Sequence, residues 1–278
     1  MSAPALAQPV QRPRPSMLAQ WRVLTVRFIA PTLRNGELIT AIGASLSFAV
    51  GFYIPFSIPW AHYVGGASSG VASSLGQYIT PLITMQAIAF AAISSGFRAA
   101  TDSLNGINRR FRSMPIAPIT PVLARVTASV YRCCVGLAVS LLAAHIIGFR
   151  FHRGALYIAG FCLLAIAIGV VLSFGADLLG TATRNPDAML PLVTMPILIF
   201  GLLSTGIQPL KMFPHWIQPF VRNQPISQLV LGLRALAGDT TKSPVPVTWA
   251  VMTPSLLWLL GFAVLLVPVS IVVLSRRP

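Results

Sequence analysis

Carboxylates are almost missing from this 278-residue chain: Asp and Glu together number 5, against 20 Lys and Arg. So few acids, none of them paired, cannot readily supply an acid/base dyad or a proton relay through a membrane. Charge of any sign is scarce, at 9% of residues, where a soluble domain carries about 25%. Cysteine is limited to Cys133, Cys134 and Cys162, an adjacent pair plus a distant one. That pattern matches no zinc spacing, and all three read as small core residues. His62, His145, His152 and His215 are scattered, without the spacing of a metal site on one helix face. No G-x-x-x-x-G-K-S/T phosphate loop occurs. These absences argue against a membrane enzyme, a metal centre, a nucleotide site and a proton-coupled carrier.

What the chain has is apolar length. Apolar residues make up 55% of it, and no charged side chain occurs between Leu38 and Phe97. A bilayer crossing needs about 20 predominantly apolar residues. Six stretches approach that: 38–60, 77–97, 119–147, 155–177, 188–208 and 247–274. They lack the period-two alternation of barrel strands, and hydrocarbon leaves helices as the remaining solution. The expected fold is therefore an all-α integral membrane protein of six transmembrane helices. Pro55, Pro81, Pro191, Pro196, Pro254 and Pro268 fall inside those stretches and predict kinks rather than breaks. The formal charge of +15 borders the apolar runs and suits an anionic membrane surface rather than nucleic acid.

Residues 1–16, rich in Pro, Ala and Arg, read as a disordered cytoplasmic tail ahead of one permease domain, 17–278. Residues 17–34 have helical period, with Trp21, Leu24, Phe28 and Ile29 on one face, as in a helix lying in the membrane interface. Pro31 and Asn35-Gly36 predict a break before the first span. Placing both termini in the cytoplasm puts twelve basic residues inside and six outside, which satisfies the positive-inside rule.

Between spans two and three, Leu104, Ile107, Phe111 and Met114 repeat at helical spacing among Arg109, Arg110 and Arg112. Thr101, Asp102 or Ser103 would cap such a helix and Pro115 would stop it. A solvated or lipid-facing loop is one reading, and a helix docking into a groove on a cytoplasmic partner is the other. Between spans five and six, Pro209, Pro214, Pro219 and Pro225 punctuate a segment ending in the apolar stretch 227–238, too short to cross. It would dip into the membrane or lie on its outer surface, with His215 and Trp216 at the water–lipid boundary. Arg132 falls mid-span with no acid at matching depth, so it should face the bundle interior, either as a structural anchor or toward cargo. Arg125 and Asp177, near the same ends of their spans, predict an ion pair.

The runs SFAVGFYIPFSIPW, GGASSGVASSLGQYITPL and SGFRAATDSLNGINRRFRSMPIAP, with ATRNPDAMLPL and LLSTGIQPLKMFPHWIQPFVRNQPISQLVLGLRALAGD, resemble the permease subunits of type-two ABC exporters. Within that family the chain is most similar to the mycobacterial daunorubicin-resistance-like branch. The resemblance implies an N-terminal interfacial helix, a cytoplasmic coupling helix and an outer re-entrant segment. It implies no cofactor on this chain, with ATP and Mg held by a separate ABC ATPase subunit in two copies, beside a homologous second permease. The implied cargo is a hydrophobic envelope lipid of the phthiocerol dimycocerosate class, with anthracycline drugs as a side activity. On this pattern Asp102, Leu104, Ile107, Arg109, Arg110, Phe111 and Arg112 couple to the ATPase. Phe48, Phe52, Tyr53, Phe56, Phe90 and Arg132 are candidates for the substrate path, the aromatics reading equally as packing residues. Pro209, Pro214, Trp216, Pro225 and Arg234 form the outer gate. Rival readings are a polysaccharide exporter permease, a primary drug exporter and a stand-alone secondary carrier.

Overall fold

A computed structural model describes residues 16–34, 37–63, 71–107, 110, 114, 117, 120–183, 185–241 and 244–275. Among them every regular element is helical: α1 (Met17–Arg34), α2 (Glu37–Tyr63), α3 (Leu75–Leu104), α4 (Thr120–Ile146), α5 (Ala155–Thr183), α6 (Pro186–Leu202), α7 (Gln218–Asn223), α8 (Pro225–Ala237) and α9 (Trp249–Ser275), with a 3₁₀ turn at Leu210–Met212. Four of these, α3, α4, α5 and α9, are long and apolar enough to cross a bilayer. The apolar part of α2, Ile42–Ile58, and α6 are shorter.

Local chemistry sets the helix ends. The Ser74 side chain accepts from the Gln77 amide at 3.1 Å and starts α3. The Asn185 side chain accepts from Asp187 N and Ala188 N, with Pro186 supplying a preset first turn to α6. Gly238, at φ 73, closes α8 in a conformation that a side chain would strain. Pro31, Pro81, Pro191, Pro196, Pro254 and Pro268 lie inside continuous helices, so the prolines do not break their elements. α1 runs through Pro31 to Arg34 and α2 begins at Glu37, so the two helices are separate as expected; residues 35–36 lie outside the described set.

The helix α3 is the axis of the bundle. In its most apolar window 89% of residues are buried, whereas in α9 the figure is 6%. α5, α2 and α4 surround α3 on its long sides. Glycines set the closeness: a Cβ on Gly180 of α5 would run into the Gly96 carbonyl of α3, and one on Gly169 would strike Cys133 and Ile88. With no water to expel between helices in lipid, such backbone approach supplies the van der Waals contact that holds them. Around α3 lie the fully buried Leu82, Ile83, Ile88, Phe161 and Val230. A second cluster, Leu24, Phe28, Ala124 and Ala128, fastens α1 to α4. The apolar face expected of α1 exists, but it packs on protein, and Trp21 Nε1 donates to Thr127 Oγ1 at 3.2 Å.

Three helix ends differ from the ends of the apolar stretches. α3 continues past Phe97 to Leu104, which puts Thr101, Asp102 and Ser103 in its last turns. The reason is Arg98, whose Nη1 and Nη2 donate to the Phe28 carbonyl and Thr32 Oγ1 of α1, each at 3.0 Å. Span five ends at Leu202 rather than Gln208, where Ser204 Oγ turns back on the Gly201 carbonyl. Span four runs on to Thr183. The segment 225–237 does not lie on a surface; α8 is a buried helix wedged against α3, α5 and α9. Of the cysteines, Cys133 is buried but Cys134 is exposed, which removes it from the expected core.

Candidate functional site

Two polar clusters tie the ends of α3 to its neighbours. At one end meet the C-termini of α3 and α5, the N-terminus of α4, and α1. Arg125 of α4 stands between two acids, its Nη2 3.6 Å from Asp102 Oδ2 and its Nη1 3.9 Å from Asp177 Oδ2. Its guanidinium lies over the Phe28 ring, 5.5 Å from the centroid. Asp177 Oδ1 accepts from Ser95 Oγ at 2.7 Å. Ser95 Oγ in turn accepts from Arg132 Nη2 at 3.1 Å, and the same nitrogen donates to Ser129 Oγ at 3.2 Å. A continuous polar chain, Arg132–Ser95–Asp177–Arg125–Asp102, therefore joins α3, α4 and α5, and Arg98 extends it to α1. The expected Arg125–Asp177 pair is present. Arg132 faces the bundle interior, as expected, and Asp177 reaches it through one serine hydroxyl. Arg132, 6% exposed, is thereby anchored inside the bundle.

The expected coupling residues separate here. Asp102 joins the ionic chain, while Leu104 on the last turn of α3 is 64% exposed. Ile107 turns inward onto Leu24, Phe28, Ala124 and Ala128. Leu104 and Ile107 thus do not share one docking face. The break between them is Gly106, at φ 67. Arg110 is exposed, and Arg109, Phe111 and Arg112 lie outside the described residues.

At the other end, Arg234 of α8 stacks on Tyr78 of α3, 3.9 Å from the ring centroid. Its Nη2 donates to the Tyr78 carbonyl at 2.9 Å and the Thr205 carbonyl at 3.2 Å, and Tyr78 Oη donates to the Thr205 carbonyl at 2.7 Å. Gln77 completes the clasp: Nε2 donates to the Arg150 and Gly238 carbonyls at 2.9 and 2.7 Å, and Oε1 accepts from Arg150 N. Gln224 Nε2 holds the Phe200 and Leu203 carbonyls at the end of α6. Of the expected gate residues, Arg234 and Pro225 belong to this buried assembly. Pro209 opens the 3₁₀ turn, Pro214 follows it, and Trp216 is 80% exposed. Gln77, Tyr78 and Gln224 were not foreseen. Their signal was available, since amides inside otherwise apolar runs need partners in hydrocarbon.

The aromatics proposed for the substrate path pack on one another and on the core. Phe48 stacks on Phe52 at 5.8 Å and meets Phe90 at 4.9 Å. Phe48, Tyr53 and Phe56 pack against the main core, with Phe52 inside it. A cavity of about 100 Å³ lies elsewhere, among α3, α5, α6, α8 and α9, and none of these aromatics lines it. Among the described residues, His, Cys, Asp and Glu nowhere gather in a group that could hold a metal.

Comparison with known proteins places this architecture. Residues 37–272 match the model of the ABC-2 family transporter protein. The chain is 68% identical over 269 residues to the "Doxorubicin resistance ABC transporter permease protein DrrB" of Mycobacterium tuberculosis (strain CDC 1551 / Oshkosh), covering 97% of this chain and 93% of that one. It is 29% identical over 264 residues to the "Probable doxorubicin resistance ABC transporter permease protein DrrC" of the same strain, with coverage of 91% and 88%. A third relative, the "Daunorubicin resistance ABC transporter permease protein DrrB1" of Streptomyces coeruleorubidus, is 27% identical over 188 residues, 66% of this chain and 65% of that one. The chain accordingly belongs to the ABC-2 transporter family, as a membrane-embedded permease and not as an enzyme.

Proposed function

We propose that this chain is the bilayer-spanning half of an ATP-driven exporter of largely hydrophobic cargo. Six helices cross in this reading: α2, α3, α4, α5, α6 and α9, with α8 entering from the outer face and returning. Both termini and the Arg125 cluster sit on the cytoplasmic side of the inner membrane, and the Arg234 clasp sits outside. Two copies of an ABC ATPase, carrying ATP and Mg, dock from the cytoplasm. Beside the chain stands a homologous second permease, a pairing supported by two permease-named relatives in one strain that both align over most of this chain.

The observation that carries the mechanism is the ionic chain under the segment that follows α3. ATPase closure would press on residues 104–114, and Asp102 and Ile107 would pass the force into α1, α4 and α5 as one body rather than bending α3 alone. Packed interfaces of this kind switch between discrete arrangements. The test is Phe111→Asp, on the face expected to meet the ATPase. The complex should still assemble, with ATP hydrolysis no longer stimulated by cargo and export lost; normal export by this variant would reject the coupling scheme.

The cargo is a largely hydrophobic amphiphile, such as the doxorubicin or daunorubicin to which the relatives' names refer resistance. On our finer reading the natural cargo is an envelope lipid of the phthiocerol dimycocerosate class. Both readings are supported by an interior with few acids and an apolar cavity. Deleting the chain should leave such lipids in the cell and missing from the surface, and raise retained doxorubicin. Retention of drug with an unchanged surface lipid profile would exclude the lipid. Accumulated glycan would favour a polysaccharide exporter instead.

A further inference from the structure

The cavity of about 100 Å³ is walled by apolar side chains with one exception, Gln86 of α3, set among Met85, Leu172, Leu259 and Phe262. An apolar cavity of about 150 Å³ admits a benzene ring, so this one, about a third smaller, suits a short length of chain or part of a ring. Gln86 is 2% exposed, and its Oε1 has no hydrogen-bond donor among the described residues. Its Nε2 points at the Ile197 carbonyl, 3.5 Å away. That carbonyl fixes the amide's orientation, since the flipped form would set two oxygens against each other. A second amide oxygen without a donor there, Gln224 Oε1, stands one residue before the cavity-lining Pro225. Both amide nitrogens are committed to carbonyls of the same stretch, Ile197 to Leu203. Folded interiors keep few buried acceptors without donors. Gln86 Oε1, in the wall of the apolar cavity, marks where a donor from a guest would be satisfied.

We infer that this cavity binds the apolar part of a small amphiphile whose hydroxyl donates to Gln86 Oε1. An acceptor-only group would meet a bare oxygen there, and an ionised group would find no counter-charge in the wall. The matching chemistry is a long-chain alcohol or a hydroxylated ring. It has two sources, a hydroxyl-bearing membrane lipid and a hydroxylated transported molecule. The site lies within a single chain and its occupation requires no transport, so it stands or falls separately from the exporter reading.

Native membranes holding the full chain would be photolabelled with the diazirine alcohol 3-azioctanol and the adducts mapped by peptide mass spectrometry. Adducts are expected on Met85, Leu172 or Phe262. Excess octanol should suppress them about three- to tenfold better than octane at equal membrane concentration, the value of one hydrogen bond. Gln86→Met should lower this labelling by the same factor, and Leu172→Phe, which fills the void, should remove it. The octanol–octane comparison needs no variant, so a folding failure in either one leaves the test intact. Competition by a monoacylglycerol or by doxorubicin identifies the source. Adducts confined to lipid-facing α9 side chains such as Leu257 and Val264, or equal suppression by octane and octanol, overturn the proposal.

Discussion

Replacing Arg125 by Met asks whether the ionic chain is a unit. The side chains of Arg125, Asp102 and Asp177 are 10%, 19% and 11% exposed, so solvent screens them little. At 3.6 and 3.9 Å, and an effective dielectric constant of about 20, each attraction is worth roughly 4–5 kcal/mol before desolvation. Desolvation of three charges and the mutual repulsion of the two acids offset much of that sum. What the substitution exposes is the converse cost: two carboxylates left in a nearly closed site without their cation. Losses of about 3–5 kcal/mol are usual for that. At about 2–4 °C per kcal/mol for a chain of this size, the melting temperature of the purified protein should fall by at least about 6 °C.

The double variant Arg125→Met/Asp177→Asn should recover part of the loss, because the introduced amide needs no cation and its oxygen can still accept from Ser95. The coupling energy in the cycle should reach about 1–3 kcal/mol. Neutralising all three, with Asp102→Asn added, should restore stability further and leave cargo-stimulated ATP hydrolysis impaired, since burying no charge is often as stable as burying a matched set. A melting temperature within about 2 °C of the parent for Arg125→Met, or additivity within about 0.5 kcal/mol, would refute the reasoning. Each charge would then be satisfied on its own.

Two further outcomes follow from the packing, both read by thermal unfolding in a fixed detergent. Gly180→Ala should cost about 1–3 kcal/mol by forcing α5 from the Gly96 carbonyl. Gly43→Ala on α2, where a Cβ meets nothing within 4 Å, should cost nothing; equal effects would refute the close α3–α5 crossing. Arg234→Met should cost about 2–3 kcal/mol, the value of its charge-assisted bonds to Tyr78 and Thr205. Arg234→Lys should recover less than half, because an ammonium cannot stack flat on Tyr78 while reaching both carbonyls.

The apolar runs made the helices legible and their ends less so. Arg98 was read as a membrane boundary because a charge ordinarily ends a span, yet α1 supplies its acceptors and α3 continues past it. Residues 203–208 are uncharged, so composition could not distinguish a last helical turn from the turn in which Gln224 holds the α6 carbonyls. Arg125 and Asp177 could be paired from their positions along two spans. Arg132 could not, because the link to its acid is Ser95, a residue type common enough in membrane helices to carry no signal. The aromatics of α2 were visible, but their faces were not: the same Phe48 spacing serves a channel wall or a packed ring stack. Phe52 lies inside the core, and Phe48, Tyr53 and Phe56 pack against it.

The placement of polar groups along α3 gives the mechanism its lever. Thirty residues make a rod of about 45 Å, longer than a hydrocarbon core of about 30 Å. Ser95, Arg98 and Asp102 are bound to α1, α4 and α5 at one end, and Gln77 and Tyr78 to α8 and the Arg150 turn at the other. Between these ends the contacts with other described helices are mainly apolar and dispersive, Gln86 apart, and such contacts resist sliding less than directional bonds do. A displacement at the Asp102 end therefore has two ways to travel: by sliding α3 against its neighbours, or by carrying them along. The ionic chain opposes sliding where the push arrives, because α4 and α5 are tied to α3 there. The clasp at Gln77 delivers the same movement to α8, which among the described residues has no comparable tie to α1 or α2. Motion fed into one end should thus reach α8, and with it α9, whose Ser255 Oγ donates to the Gln228 carbonyl of α8, on the side where the Gln86 cavity lies.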